Sequence, residues 1–482
     1  MKAGWVIPID WTTFGPATFV ASGALLALGA DLIIPHRSGR TVRWLASGIP
    51  SAAGIGGALV ALHRTRVGGD VWTAHGFSVV ILAVAALVVV GSVLLIGENA
   101  MPLGEFQFLL GSSAAGGLVM VGASDLVTLV VGIELLALPS IALVGLRRGD
   151  RRAISTAWTF FLTSVVSSAI AVMGIALIYG LTGTLSYSDL HTDLANDPRP
   201  AVAVAVVLTV IGLLFKIGSV PFHTWVPDAY RGASPVVTAF LSSVSKVATL
   251  GALVWLLVIG LGSAESSWWP AVAFVAAVTM TLGNVGALRQ YDGVAVLAWS
   301  SIAQAGFLLV PLGPIVAGDW RFFSAPLQYV AVYALANVVG FLALAVVLKV
   351  RGSTTYGDLE GLARTDPWVG LPLAFAVLTL AGFPPAIVGL VTKYIVFQPV
   401  VSEGPMWLAI VMAINVMLGL AYYLRLVAVL FVAAPSAHRS IDAPLAVRFA
   451  TIVVVVGGLA LAALSLWPGP LLDDLTVHLT GS

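Results

Sequence analysis

The 482 residues are 59% hydrophobic and only 9% charged, with 23 Lys+Arg against 22 Asp+Glu and no cysteine. Soluble domains carry roughly 25% charged residues, so this balance excludes a cytosolic enzyme and a basic nucleic-acid-binding surface. The missing cysteines exclude a disulfide framework, a thiolate nucleophile and cysteine-ligated iron–sulfur clusters. A mean hydropathy of +1.03, with 50 Gly and 25 Pro, fits packed transmembrane helices. At about 20 apolar residues per crossing, the length allows roughly 12 to 15 spans. No HExxH, GxGxxG or P-loop pattern offers a metal or nucleotide site.

In chain order the apolar runs predict spans over 14–34, 41–62, 76–97, 106–123, 125–146, 154–180, 201–219, 235–260, 267–288, 294–314, 323–350, 369–397, 406–432 and 445–467. The N-terminal stretch MKAGWVIPIDWTTFG lacks the order of a cleavable signal, so the first run is expected to stay as a helix. Loop cations test the count. Loops after odd-numbered spans carry Arg37, Arg40, Arg43, Arg147, Arg148, Arg151, Arg152, Arg231, Arg289, Lys349, Arg351, Arg364, Arg439 and Arg448. The other face carries only Lys2, Arg64, Arg66, Arg199 and Arg321. By the positive-inside rule this asymmetry predicts fourteen helices with both termini on the non-cytoplasmic side of a bacterial plasma membrane.

Four cations fall inside predicted spans: Lys216, Lys246, Lys393 and Arg425; Glu134 lies deep in the fifth. A charge at the helix centre costs about 2.5–3.5 kcal/mol on insertion scales, so each is a functional candidate. The plainer reading is a helix-end snorkeller or a structural ion pair, which Arg425 suits best. A Glu–Lys pair at low dielectric can be poised so that a small movement changes which partner holds the proton.

Two spans are broken. The seventh reads FKIGSVPFHTWVPDAYRGASP, with Pro221 and Pro227 following Lys216. The twelfth reads LAGFPPAIVGLVTKYIVF, with Pro384 and Pro385 preceding Lys393. Interrupted segments at matching places in two halves are the mark of an inverted-repeat transporter. Their five-span separation predicts two inverted five-helix repeats, 105–260 and 261–432, after three N-terminal helices over 1–104. Helix 14 and a tail over 433–482 complete a single membrane domain over 1–482. His223, two residues beyond Pro221, is either a hydrogen-bonded packing residue or a proton carrier. Gln304 is a polar group on the tenth span that could hold water, and Asp228 reads as a loop-capping charge.

The stretch FKIGSVPFHTWVPDAYRGASPVVTAFLSSVSKVA resembles the signature of the antiporter-like subunits of respiratory complex I, and most of all the N-type subunit of bacterial NADH:quinone oxidoreductase. SDLVTLVVGIELLALPSIALVG, GIALIYGLTGT, SSIAQAGFLL and DLEGLA followed by LTLAGFPP extend the resemblance, in order, from about residue 105 to 400. It implies an all-α fold and a mid-membrane proton relay through Glu134, Lys216, His223, Lys246 and Lys393. It also implies that NADH, FMN, iron–sulfur clusters and quinone are bound by partner subunits, with no cofactor in this chain. The implied partners are neighbouring antiporter-like membrane subunits and the lipid bilayer, not nucleic acid.

Three positions depart from the family pattern. The sixth-span lysine is Thr159, a tenth-span histidine found in many members is Gln304, and PPAIVGLVTK has one extra residue before its Gly and Lys. One residue turns a helix by about 100°, which puts the direction of Lys393 in question. The short tail after the last predicted span argues against the longer family member that carries a lateral helix. A multi-subunit Na⁺/H⁺ antiporter, a membrane-bound hydrogenase-like complex and a non-pumping scaffold stay open as alternatives.

Overall fold

The computed structural model describes residues 11–35, 39–64, 72–97, 102–194, 200–312, 321–402, 404–433 and 444–469. The loop cations Lys2, Arg37, Arg66, Arg199 and Arg439, and the first ten residues, lie outside them. The chain is all-helical among the described residues. Its first helices are α1 (Trp11–Ile33), α2 (Arg40–Arg64), α3 (Trp72–Gly91), α4 (Leu103–Val121), α5 (Leu126–Gly145), α6 (Arg151–Thr182) and the short α7 (Tyr187–Asp193). The centre holds α8 (Pro200–Ile217), α9 (Trp225–Gly232), α10 (Pro235–Trp255), α11 (Glu265–Leu288), α12 (Gly293–Leu309) and α13 (Arg321–Arg351). Then come α14 (Tyr356–Leu359), α15 (Leu362–Thr365), α16 (Pro367–Ala381), α17 (Ile387–Ser402), α18 (Met406–Phe431) and α19 (Leu445–Leu466).

Among the described residues, twelve helical runs are long and apolar enough to cross a membrane, α8, its break and α9 counting as one run. Fourteen were expected, and two predicted spans account for the difference. The fourth is the helix α4, whose Gly, Ser, Glu and Gln dilute its hydropathy. The twelfth, predicted over 369–397, is not one helix but α16 and α17, of 15 and 16 residues. At 1.5 Å per residue either is about 22–24 Å long, short of a hydrocarbon core of about 30 Å.

Burial separates centre from rim. In the best apolar window of each helix, α12 buries 94% and α13 89% of its residues, whereas α6 buries 33%. α10 packs against α13, α3, α4 and α8, so it too is surrounded by protein. α6 leaves one side open, with Trp158, Leu162, Val165 and Val166 exposed.

Two junctions are built alike. Before α5, Asp125 accepts hydrogen bonds from the N–H groups of Val127 and Thr128, both at 2.8 Å, and bridges backbone to backbone with Ser186. Before α12, Asp292 accepts from Ala295 N at 2.9 Å and bridges with Thr355. The carboxylate caps satisfy first-turn N–H groups that no helix can satisfy itself.

Candidate functional site

The seventh-span break opens at Gly218, whose left-handed φ of 80° suits a residue without Cβ, and includes the cis Val220–Pro221 bond. Backbone groups freed at membrane depth need partners. Ser219 Oγ donates to Leu214 O at 2.7 Å, Gly218 N to Phe215 O at 2.8 Å, and Val220 N to Thr279 Oγ1 at 3.1 Å. Two residues before Gly218, buried Lys216 donates from Nζ to Ser164 Oγ at 2.7 Å. On the same face of α6, Ser168 donates to Glu134 Oε1 at 2.6 Å. Glu134 and Lys216 line one narrow crevice with Ser167 and Ser168 but make no direct ion pair. In place of a direct Glu–Lys pair, each partner is held by its own serine, at i and i+4 on α6.

Thr159 stands elsewhere. It is exposed on the outer face of α6, and its hydroxyl bonds Ser155 O of its own helix at 3.2 Å. His223 is half-buried beside the Trp299 ring, 6.2 Å between centroids, and its Nδ1 has no hydrogen-bond partner among the described residues.

A second polar group lies deeper. Fully buried Lys246, on α10, donates to the carbonyl of Ser301 and sits 5.5 Å from the centre of the Tyr333 ring. Ser301 Oγ shares a 2.7 Å hydrogen bond with Tyr333, and Ser300 Oγ one of 2.5 Å with Tyr423. Gln304, one turn on, donates from Nε2 to Tyr423 Oη and to Leu380 O, both at 2.9 Å, and accepts from Tyr329. Ala381 O, beside Leu380 O, accepts from Lys393 Nζ at 2.7 Å. Neutral Ser, Tyr and Gln groups therefore occupy the space between two buried lysines.

The second break shows why Lys393 faces inward. α16 ends at left-handed Gly382, φ 70°, and the cis Pro384–Pro385 bond follows. Carbonyls at this C-terminus lack intrahelical donors; Gln304 and Lys393 supply them, and an ammonium there also suits the negative end of the helix dipole. Lys393 on α17 reaches back across the bend to the end of α16. Arg425 anchors structure: it donates to Leu288 O and Gln290 O at 3.0 and 2.7 Å and stacks on Tyr291 and Tyr356. Among the described residues no cluster of His, Cys, Asp and Glu could hold a metal ion.

A family model described as NADH:quinone oxidoreductase/Mrp antiporter, TM, matches residues 123–419, more than half of the chain and all of the residues just described from Glu134 to Lys393. The chain belongs to this family. Within the family it is similar to a Streptomyces griseus protein named NADH-quinone oxidoreductase subunit N 2, at 40% identity over 91% of this chain and 86% of that one. It is likewise similar to a Salinispora tropica NADH-quinone oxidoreductase subunit N, at 40% over 88% of this chain and 85% of that one. A chain of respiratory complex I from Thermus thermophilus superposes with a TM-score of 0.77 at 26% identity, over 96% of this chain and 99% of its own. The Mrp complex of Dietzia sp. shares the fold, with a TM-score of 0.80 at 22% identity over 96% of each chain. The motif resemblance to antiporter-like N-type subunits of complex I thus holds along nearly the full length, in a multi-pass membrane protein.

Of the family-implied positions, Glu134 and Lys216 share a crevice, Lys246 bonds the Ser301 carbonyl, and Gln304 and Lys393 bond the adjacent carbonyls of Leu380 and Ala381. His223 touches none of these, and Thr159 faces outward. Sequence reasoning passed over Ser164, Ser168, Ser300, Ser301, Tyr329, Tyr333 and Tyr423. Two signals pointed to some of them: serines four apart in the apolar TFFLTSVVSSAIAV, and the YY pair in AINVMLGLAYYLRL.

Proposed function

We propose that this chain is a proton-translocating membrane subunit of a bacterial NADH:quinone oxidoreductase. The observation carrying this reading is the placement of four enclosed charged groups: Glu134 and Lys216, held by Ser168 and Ser164 on one face of α6, and Lys246 and Lys393, held by the Ser301 and Ala381 carbonyls on either side of buried Ser, Tyr and Gln side chains. Protons are taken up and handed on by the four charged groups, with the hydroxyls holding them in register. Gln304 is neutral at neutral pH, so it orients or solvates but carries no proton; Thr159, also neutral, faces away from the path. His223, near the first break, serves as a carrier at the edge of the path. The redox groups (NADH, FMN, iron–sulfur clusters and quinone) belong to partner subunits, and this chain receives their energy through neighbouring membrane subunits.

The same reading takes the chain as fourteen crossings in two inverted five-helix repeats, with both termini on the non-cytoplasmic side. The like-built junctions at Asp125 and Asp292 and the two Gly-led breaks support it. The decisive experiment measures protons moved per NADH oxidised in vesicles holding the assembled complex. Glu134→Gln and Lys216→Met should each lower the ratio while assembly and electron transfer persist. An unchanged ratio in a fully assembled complex would remove these residues from the relay.

A further inference from the structure

Arg425 is the intramembrane cation that the relay leaves unused, and it belongs to a polar ladder between α11 and α18. Asn284, wholly buried on α11, donates from Nδ2 to Asn415 O and to Asn415 Oδ1, both at 2.9 Å. Asn415 in turn donates to Thr281 Oγ1 at 3.1 Å, and Tyr422 Oη donates to Asn284 Oδ1 at 3.0 Å. Three residues beyond Tyr422, Arg425 closes the ladder on the carbonyls of Leu288 and Gln290.

α11 is itself fixed to α12. Gly283 and Gly286 have no room for a Cβ, pressed against the backbone of Ala303 and the ring of Trp299. α12 carries Ser300 and Gln304. α18, by contrast, is a rim helix: 39% of its best apolar window is buried, and Ile410, Ile414 and Met417 are exposed. Yet this helix sends fully buried Tyr423 inward, to Ser300 Oγ at 2.5 Å and Gln304 Nε2 at 2.9 Å. Rotation of α18 by one residue, about 100°, carries Tyr423 out of that network. Apolar side chains on a lipid-facing helix fix no rotation, because lipid tails are equally apolar; polar bonds between helices do.

We infer that Asn284 is a positioning residue for the buried network: together with Asn415, Tyr422 and Arg425 it sets the rotation of α18 and holds the Tyr423 hydroxyl between Ser300 and Gln304. Asn284 forms no hydrogen bond with Ser300, Gln304 or a buried lysine among the described residues, so it acts through Tyr423. Its effect on proton movement rests on the reading of the chain as a proton-translocating subunit; its placement of Tyr423 does not.

The test uses the assembled complex in vesicles and two readouts: protons moved per NADH oxidised, and the fluorine resonance of 3-fluorotyrosine placed at position 423. Asn284→Leu, of similar volume, should shift that resonance and lower the proton ratio to the level of Tyr423→Phe. Because both substitutions strike one device, the double variant should fall no lower than either single one. Tyr422→Phe removes one rung while keeping the ring; it should shift the same resonance less, and it carries the test if Asn284→Leu does not assemble. Gln107→Leu exchanges a buried amide on α4, bonded to Ser92 far from Tyr423 in the chain, and should leave both readouts at wild type. The inference is overturned if the resonance stays put in Asn284→Leu and Tyr422→Phe, if the losses of the double variant compound, or if Gln107→Leu moves the resonance as far. Wild-type ratios in both Tyr423→Phe and Lys246→Met would instead sink the relay reading, and the resonance alone would then decide whether Asn284 places Tyr423.

Discussion

Ser164 and Ser168 lie one turn apart on α6 and hold, respectively, the buried ammonium of Lys216 and the carboxylate of Glu134. Removing the first hydroxyl leaves a fully enclosed cation without its acceptor, which costs about 1–3 kcal/mol or more. Ser164→Ala should therefore lower the thermal midpoint of the full chain and reduce protons moved per electron pair, and Ser164→Thr should restore both. Ser168→Ala should cost less stability, because Glu134 is only half-buried. A Ser164→Ala protein equal to wild type in both readouts would show that Lys216 finds its partner elsewhere. Glu134, Lys216, Lys246 and Lys393 were legible because a charge in an apolar run stands out in any sequence. The serines were not, since Ser is common on packed transmembrane helices and only the facing of α5, α6 and α8 selects these two. Thr159 shows a different limit: it stands at the position of a family lysine, yet the helical phase of α6 turns it outward.

The two breaks share a construction of left-handed glycine followed by a cis X–Pro bond, yet they use their lysines differently. Lys216 precedes its break and points to α6; Lys393 follows its break and returns to the carbonyl end of α16. Gly382 makes that return geometrically open. A Cβ there would stand 2.9 Å from Lys393 Cδ, on a backbone that L residues adopt at a cost of roughly 1–2 kcal/mol. At Gly352, φ 82°, the same strain applies but no atom lies within 4 Å. Gly382→Ala should thus lose more thermal stability than Gly352→Ala, and it alone should disturb pumping; equal losses would mean that Lys393 has no fixed seat. The prolines made both interruptions readable from sequence. The split of the predicted 369–397 span into two short helices was not, because hydropathy sums over a bend without registering it.

For the whole molecule, composition made the membrane class and the helical architecture plain, but burial order was invisible: α6 and α12 are both apolar, and only packing makes one peripheral and the other central. Orientation is the remaining global property that the loop cations address, and α6 offers the cleanest place to test it. Its 32 residues extend about 48 Å, well beyond a hydrocarbon core of about 30 Å, so its ends must emerge on opposite faces. Arg147, Arg148, Arg151 and Arg152 cluster at one end, whereas α7 beyond the other end holds acidic Asp189 and Asp193. The cysteine-free chain lets a single introduced thiol report its own side. Arg148 and Thr192, both exposed, sit near the two ends. With a membrane-impermeant maleimide, Thr192→Cys should be labelled in right-side-out vesicles and Arg148→Cys only in inverted ones. Labelling of both from one face would refute a single crossing by α6. A reversed pattern would refute the positive-inside orientation and, with it, non-cytoplasmic termini in a chain of fourteen crossings.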